Sequence, residues 1–169
     1  ITNNLSNRNL VINGSMQCAQ RGTSSTTSSG GMNTVDRLGI YINGTDNDMT
    51  QEQITLTSSD TGPWAKGFRN AIKLTNGNQT GGFAAGDYFF IEQGIEGQNI
   101  AQSGWDYTSA SSYITLSFWI KSSVAQNFYG YLKSGDGTAQ RYAFETGSLS
   151  ANTWTKITKT IPGNSNLQI

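Results

Sequence analysis

The hydrophobic and polar positions of the chain alternate within residues 114–123. Because successive side chains of a β-strand point to opposite faces, this period of two predicts a strand with one apolar face. We expect a central antiparallel strand whose apolar face points into a sheet-on-sheet core. In that register Leu116 and Phe118 are almost fully buried, and Ser117 and Lys121 are largely exposed.

Shorter apolar runs recur along the chain, with Gly, Asn and Pro residues marking turns between them. Residues 88–93 are apolar on both faces, which predicts an inner strand. Residues 128–133 are the expected hairpin partner of 114–123, whereas the Ser/Thr/Gly-rich segment 23–31 is expected to be a mobile loop. The other predicted strands are 10–12, 39–42, 51–57, 70–74, 141–144 and 154–161, with the first half of another at 167–169.

Many short strands without a sustained 3.6-residue period predict an all-β fold. We expect an antiparallel β-sandwich, with the jelly roll as its favoured form. A length of 169 residues suits a single domain over 1–169, with residues 1–8 as an extended lead-in. Since the sequence stops inside an expected strand, we expect either a domain truncated at its C-terminus or a sheet edge covered by another copy.

Composition and charge exclude several classes of function. Basic and acidic residues number 11 each, and no basic run of five or more occurs, so nucleic-acid binding has no electrostatic footprint. No apolar run approaches the roughly 18 residues that span a bilayer, so we expect no membrane insertion. The chain has no histidine, which excludes Ser-His-Asp and Cys-His catalysis. The single cysteine, Cys18, is expected to be a buried or half-buried structural thiol.

Carboxylates are the remaining candidates for catalysis. Asp87, Glu92 and Glu96 lie close in sequence, and a glycosidase needs two carboxyl groups on either side of the scissile bond. The alternative is that Glu92 ends a strand and Glu96 makes a local contact, and we favour this alternative because such pairs are common. We therefore expect no enzymatic activity.

Hard oxygen ligands for calcium occur at two places in the sequence. They are Asp46, Asn47 and Asp48 in one turn and Asp136 between two glycines in another. Neither place has the spacing of an EF-hand, and turn chemistry explains both runs better. We expect no cofactor, with calcium left as an unsupported alternative.

Aromatic side chains at polar positions are the best candidates for a binding site. Proteins bind sugars by stacking rings against C–H groups while neighbouring polar groups bond the hydroxyls. The alternative is packing beneath loops or at a protein interface, where Trp and Tyr are also enriched. The candidate glycan-binding residues are Trp64, Trp105, Tyr107, Trp119, Tyr129 and Tyr131.

Several segments together resemble a module of tailed-phage virion proteins, notably from marine and cyanobacterial phages. They are 8–17 (RNLVINGSMQ), 20–22 (QRG), 34–37 (TVDR), 92–97 (EQGIEG), 114–123 (ITLSFWIKSS), 151–154 (ANTW) and 160–163 (TIPG). This module is similar to jelly-roll carbohydrate-binding modules. The resemblance implies a tail fibre or related appendage, located in the virion outside the cell, and makes a homotrimer the expected assembly.

Three functions remain open on the sequence alone. The first is a non-enzymatic virion module that contacts host-surface glycans. The second is a purely structural assembly or spacer domain that contacts other virion subunits. The third, and least favoured, is an enzyme that degrades glycans through Glu92 and Glu96.

Overall fold

The computed structural model describes residues 9–78, 80–82 and 84–169. The extended lead-in expected for residues 1–8 lies outside the described residues. Contacts divide the chain into two compact units. We call the unit formed by Val11–Asp60 and Trp64–Gly94 the N-terminal unit, and the unit containing Thr61–Pro63 and Ile95–Ile169 the C-terminal unit.

The regular secondary structure of both units is mainly antiparallel β-strand, which confirms the all-β class predicted from the sequence. Helical structure in the described residues amounts to a 3₁₀ turn at Trp64–Lys66 and helix α1 at Gly97–Ala101. The jelly-roll form and the single-domain organisation stay predictions.

The N-terminal unit contains a three-stranded and a two-stranded sheet. Its strands are β1 (Ser24–Thr27), β2 (Gly39–Asn43), β3 (Met49–Thr55), β4 (Asn70–Thr75) and β5 (Tyr88–Glu92). Strand β3 lies between β1 and β4, whereas β2 pairs with β5. The buried core includes Val35, Ile40, Met49 and Leu56. Gln51 is also buried, and its amide oxygen accepts a hydrogen bond from the Thr34 hydroxyl, so this polar side chain is satisfied.

The C-terminal unit contains two two-stranded antiparallel sheets. Its strands are β6 (Tyr113–Ile120), β7 (Asn127–Lys133), β8 (Arg141–Ser148) and β9 (Thr155–Pro162). Strand β6 pairs with β9, and β7 pairs with β8. The rings of Phe118 and Phe144 meet at a centroid distance of 6.3 Å, so one inner face of each sheet contacts the other. Ile157, which lies opposite Phe118 in the register of β6 with β9, is buried, and so is Ile161.

The predicted pairing of β6 with β7 is wrong. Tyr113–Ile120 pairs instead with β9, in a register that sets Phe118 opposite Ile157. The chain therefore crosses from one sheet to the other between β6 and β7. Ser117 and Lys121 are exposed as predicted, but Leu116 and Phe118 are only half-buried. Each sheet here has two strands, so the sheet packed against β6 covers its side chains less completely than a wide sheet would.

The strand predicted at residues 10–12 is replaced by a turn. Asn13 has a φ of 58°, in the left-handed region that Asn tolerates, and this ends any extended run. The side chain of Gln93 then bonds the backbone of Ile12 twice, accepting from its N–H at 2.9 Å and donating to its carbonyl at 2.7 Å. A side-chain amide thus takes the place of a neighbouring strand.

Two further predictions for individual segments are wrong. Part of segment 23–31, expected to be a loop, forms β1 and pairs with β3. The Thr26 and Thr50 hydroxyls lie 2.8 Å apart across this pair, and such cross-strand threonine contacts stabilise a polar strand. Residues 167–169 do not form a strand. The polar composition of β1 therefore led to the wrong prediction of a loop, because hydroxyl contacts can stabilise a polar strand.

Strand β5 forms at the predicted place but is not an inner strand. Its fractional exposure is 47% at Tyr88, 40% at Phe89 and 46% at Ile91. Within the described part of the chain, β2 is the strand that pairs with it. An apolar run thus lies at the edge of a narrow sheet, where the pattern predicted a covered position.

Candidate functional site

The outer side of the β7–β8 sheet presents two exposed tyrosines. Side chains alternate along β7, so Tyr129 and Tyr131 point outward when Phe128 and Leu132 point inward. The cross-strand partners in the register of β7 with β8 complete the surface. We call it the tyrosine face, and its exposed members are Tyr129, Tyr131, Lys133, Arg141, Ala143 and Glu145.

Exposure separates the two tyrosines from ordinary half-buried aromatics. Tyr129 is 80% exposed and Tyr131 is 51% exposed. Two residues along a strand correspond to about 7 Å, so their side chains lie next to each other on the surface. Opposite Tyr131 the register places Ala143, whose small side chain leaves the neighbouring ring uncovered.

Polar and charged groups lie beside the tyrosine rings. The guanidinium carbon of Arg141 is 5.6 Å from the centroid of the Tyr131 ring. Glu145 lies opposite Tyr129 in the register of the two strands. The Asn127 amide donates to Glu145 Oε2 at 2.6 Å, which holds the carboxylate beside the Tyr129 ring. Arg141 and Lys133 supply donors, and Glu145 supplies acceptors, at the margins of an aromatic surface.

The inner side of the same sheet holds this surface in place. The Phe144 ring lies directly over Gly130, where an added Cβ would come within 2.6 Å of the ring. That close approach lets Phe144 reach Phe118 on the other sheet. The register of β7 with β8 shifts between Asn127 and Tyr129, so the pairing is irregular at this end of the sheet.

Trp119 does not share a face with the two tyrosines. Phe118 points toward Phe144, so its neighbour Trp119 points to the opposite side of β6 by strand alternation. There the indole ring is half-buried against Gly62, where an added Cβ would come within 2.6 Å of it. The sequence grouped Trp119 with Tyr129 and Tyr131, but the structure does not bring them together.

Trp105 and Tyr107 pack within the C-terminal unit. Trp105 is buried, with its indole N–H donating to the Ser112 carbonyl at 3.2 Å. Tyr107 is half-buried and meets the Trp105 ring edge-on at 6.5 Å. The Trp105 ring therefore offers no open face for stacking, and the pair closes the loop before β6.

Trp64 lies in the N-terminal unit, in the 3₁₀ turn after Pro63. The guanidinium carbon of Arg69 is 3.7 Å from the centroid of its ring, and Arg69 also donates to the Trp64 carbonyl at 3.1 Å. One side of the indole is thus covered by a cation–π contact. Its role in glycan binding stays a prediction.

Two of the candidate catalytic carboxylates belong to different units. Glu92 ends β5 in the N-terminal unit, whereas Glu96 precedes α1 in the C-terminal unit. Glu96 Oε2 accepts a hydrogen bond from the Asn99 amide at 3.1 Å. Asp87 Oδ2 accepts from the Ala84 N–H at 2.5 Å. Glu92 thus ends a strand and Glu96 makes a local contact, as the non-catalytic alternative expects.

The candidate calcium residues are engaged in turns. Asp46 Oδ2 accepts from the N–H groups of Gly81 at 2.6 Å and Thr80 at 2.8 Å, and these bonds lower the pKa of the Asp46 carboxyl below its usual 3.8. Asp136 Oδ1 accepts from the Gly137 N–H at 2.9 Å. Among the described residues no group of three or more His, Cys, Asp or Glu side chains converges as a metal site.

Cys18 is exposed, so the prediction of a buried or half-buried thiol is wrong. The Asn13 side chain holds the backbone here, accepting from the Cys18 N–H at 3.1 Å and donating to its carbonyl at 2.9 Å. The segment is fixed through its main chain and needs no burial of the sulfur.

Sequence reasoning missed the charged members of the tyrosine face. Arg141 and Glu145 are separated from the tyrosines by a turn, and only the register of β7 with β8 places them on the same surface. The available signal was alternation in β8, where residues 141, 143 and 145 share one face.

Comparison with protein-family models, curated proteins and solved structures found no match for this chain. Among the described residues, no helix combines the length and apolar character needed to cross a membrane.

Proposed function

We propose that this chain is a non-enzymatic module of a phage virion appendage that contacts host-surface glycans through its tyrosine face. The observation that carries the glycan part is the pairing of two strongly exposed tyrosines, Tyr129 at 80% and Tyr131 at 51%, on one sheet face. The virion part rests on the resemblance described for the sequence.

The chemistry of the surface supports a sugar ligand over an apolar one. Sugar C–H groups stack on tyrosine rings, and sugar hydroxyls need donors and acceptors at the margins of those rings. Arg141 and Lys133 provide donors, and Glu145 provides acceptors. Both strands of the sheet are paired with each other, so the site rests on a regular scaffold rather than on a loop.

Glycan-array screening followed by calorimetric titration tests this function. Tyr129→Ala and Tyr131→Ala should each weaken binding about 2- to 13-fold, as expected for the loss of one aromatic contact of roughly 0.5–1.5 kcal/mol. Tyr113→Ala is the matched control, because Tyr113 is 59% exposed on β6 and lies outside the tyrosine face. Unchanged affinity in both face variants, or an equal loss in the control, would contradict the assigned surface.

The non-enzymatic part has its own test. Polysaccharides that bind should be recovered at their original length after prolonged incubation with the protein. Shortened chains with the wild type, and intact chains with Glu92→Gln, would instead favour the glycan-degrading alternative.

A second candidate function is an assembly or spacer unit of the virion, without glycan binding. The observation that favours it is a different surface, the exposed apolar side chains of β5 at Tyr88, Phe89 and Ile91. These side chains expose apolar surface on both faces of one strand, and contiguous exposed apolar surface is a mark of protein contacts. Sedimentation velocity tests it, because a stable oligomer supports assembly and a monodisperse monomer counts against it.

A further inference from the structure

Among the residues that the structure describes, the edge of β5 that faces away from β2 has an ordered set of unpaired backbone groups. Ile40 on β2 uses both of its backbone groups for Gly31, accepting from the Gly31 N–H at 2.6 Å and donating to the Gly31 carbonyl at 3.1 Å. The backbone groups of Ile40 therefore point away from β5. In an antiparallel pair the residues alternate between those that bond across the pair and those that point away from it.

The register then assigns the orientation of each β5 residue. Ile91 lies opposite Ile40, and Phe89 lies opposite Ile42, so the N–H and carbonyl groups of Phe89 and Ile91 point away from β2. Those of Tyr88, Phe90 and Glu92 point toward β2. Within residues 9–78, 80–82 and 84–169, no backbone hydrogen bond joins the outward groups of Phe89 and Ile91.

Apolar side chains accompany this edge on both faces of the strand. Phe89 and Ile91, on one face, are 40% and 46% exposed. On the other face Phe90 stacks on Tyr41 at 5.2 Å and on Tyr88 at 5.3 Å, and both tyrosines are exposed. Soluble proteins usually protect such an edge with a lysine, a proline, a bulge or a covering segment. None of the first three occurs in the regular strand Tyr88–Glu92.

We propose that β5 pairs with β5 of a second copy of this chain, antiparallel, with Phe90 on the two-fold axis. In this register Phe89 of each copy lies opposite Ile91 of the other. Each such pair exchanges two N–H to carbonyl bonds, so the dimer forms four bonds and satisfies the four outward groups on each strand. The result is one continuous four-stranded sheet with β2 at each outer side.

The side chains fit the same register. Glu92 of one copy lies opposite Tyr88 of the other, so the carboxylates of the two copies are kept apart and each faces a phenol that can donate to it. The two Phe90 residues meet at the axis as a non-hydrogen-bonded pair, in which the Cα atoms are about 4.5 Å apart. No like charges face each other, and every residue of the strand has a compatible partner. This self-complementarity is what selects a second copy over an unrelated strand.

This dimer rests on the second candidate function, assembly, and is independent of glycan binding. It predicts two-fold symmetry at β5, which a purely three-fold fibre contact does not. The symmetry makes the register testable by cross-linking. A residue on the axis lies opposite the same residue of the second copy, whereas every other residue of the strand lies opposite a different one.

Cysteine cross-linking in a Cys18→Ser background tests the register. Phe90→Cys should form a disulfide-linked dimer under mild oxidation, since disulfides need Cα atoms roughly 4.4–6.8 Å apart. Tyr88→Cys is the matched control, because the two copies of residue 88 are offset by four residues, about 13 Å along the strand. Combining Tyr88→Cys with Glu92→Cys should restore the cross-link. Equal cross-linking of the Phe90→Cys and Tyr88→Cys single variants would overturn the register.

Sedimentation equilibrium of the 169-residue chain tests the pairing without cysteines. Ile91→Pro removes one outward N–H per copy, spares the bonds to β2, and is compatible with an edge strand. It should raise the dimer dissociation constant about 30-fold, for two hydrogen bonds of about 1 kcal/mol each. Ile91→Thr, which keeps the N–H and the β-branch, should raise it much less. Circular dichroism checks that both variants fold.

The outcomes separate this dimer from assembly in general. A dimer that Ile91→Pro dissociates and Ile91→Thr retains supports β5 pairing. A trimer or dimer equally unaffected by Ile91→Pro overturns it while leaving the assembly function standing. A monomer at every concentration overturns both.

Discussion

Strand β5 and the tyrosine face both expose aromatic side chains, but their surroundings differ in kind. The rings of Tyr129 and Tyr131 lie among Lys, Arg and Glu side chains, and both belong to β7, which is paired with β8. The residues of β5 lie in a strand that is apolar on both faces and paired on one side with β2.

The difference indicates what each surface can bind. A ring bordered by charged groups can remain in water and still stack on a ligand that brings hydroxyls of its own. An apolar strand with unpaired backbone groups needs a partner that supplies hydrogen bonds as well as apolar contact, and another strand supplies both. Exposure of aromatic side chains alone does not distinguish the two cases. The charges beside the rings do, because β7 and β5 each belong to a two-stranded sheet.

The largest expected effect comes from removing the packing behind the tyrosine face. Phe118→Ala deletes the ring that meets Phe144 at 6.3 Å and should lower the free energy of unfolding by about 3 kcal/mol, near the low end for Phe→Ala because Phe118 is half-buried. Phe89→Ala on β5, measured in dilute protein, should cost under about 1 kcal/mol because its ring is 40% exposed.

Urea denaturation with Ser117→Ala as a control completes this test. Ser117 is exposed on the same strand, so its substitution should change the free energy of unfolding by less than about 0.5 kcal/mol. Equal midpoints for Phe118→Ala and Phe89→Ala would mean that the two strands are packed alike, and the comparison would fail.

The sequence predicted the strands better than their partners. Alternation located β6 and β7 to within about three residues, because strand period is a local property. Pairing β6 with β9 depends on contacts more than 30 residues apart, and nothing local distinguishes that partner from β7. The apolar run of β5 predicted a buried inner strand. Burial depends on which strands lie alongside, however, and β5 pairs with β2 at the edge of a two-stranded sheet.

The candidate site was predicted in part for the same reason. Tyr129 and Tyr131 were identified because i and i+2 residues share a face of any strand. Trp119 was grouped with them because the expected β6–β7 pairing would have put all three on one sheet. Trp105 could not be recognised as buried, since its indole bonds a carbonyl seven residues away in a loop without periodicity.

A smaller effect is expected at Gly130, which connects the inner packing to the outer face. An Ala Cβ there would come within 2.6 Å of the Phe144 ring, which is held by Phe118, so Gly130→Ala should cost about 1–3 kcal/mol through overpacking. It should also weaken glycan binding by displacing Tyr129 and Tyr131 on either side. Gly135→Ala, at a site with open space around it, should leave both stability and binding nearly unchanged. Similar unfolding midpoints for the two variants would contradict the close packing of Phe144 on Gly130.

The smallest effect concerns the connections of the β2–β5 sheet. The Asp46 carboxylate, after β2, accepts from the N–H groups of Gly81 and Thr80, which precede β5, and these bonds lower the pKa of Asp46 below 3.8. A carboxyl whose pKa is lower in the folded state binds fewer protons there than in the unfolded chain. Its stabilising contribution is therefore present above pH 3.8 and lost as the pH falls through the folded-state pKa.

Asp46→Asn should consequently lower the urea midpoint slightly at neutral pH, and the difference from the wild type should shrink as the solution is acidified below pH 3.8. The effect is small because the carboxylate is fully exposed to solvent, which screens its interactions. NMR titration of the Asp46 carboxyl carbon measures the cause directly. A midpoint at or above 3.8 would show that the backbone bonds do not favour the ionised form, and the link between the segments flanking β2 and β5 would have to rest on other contacts.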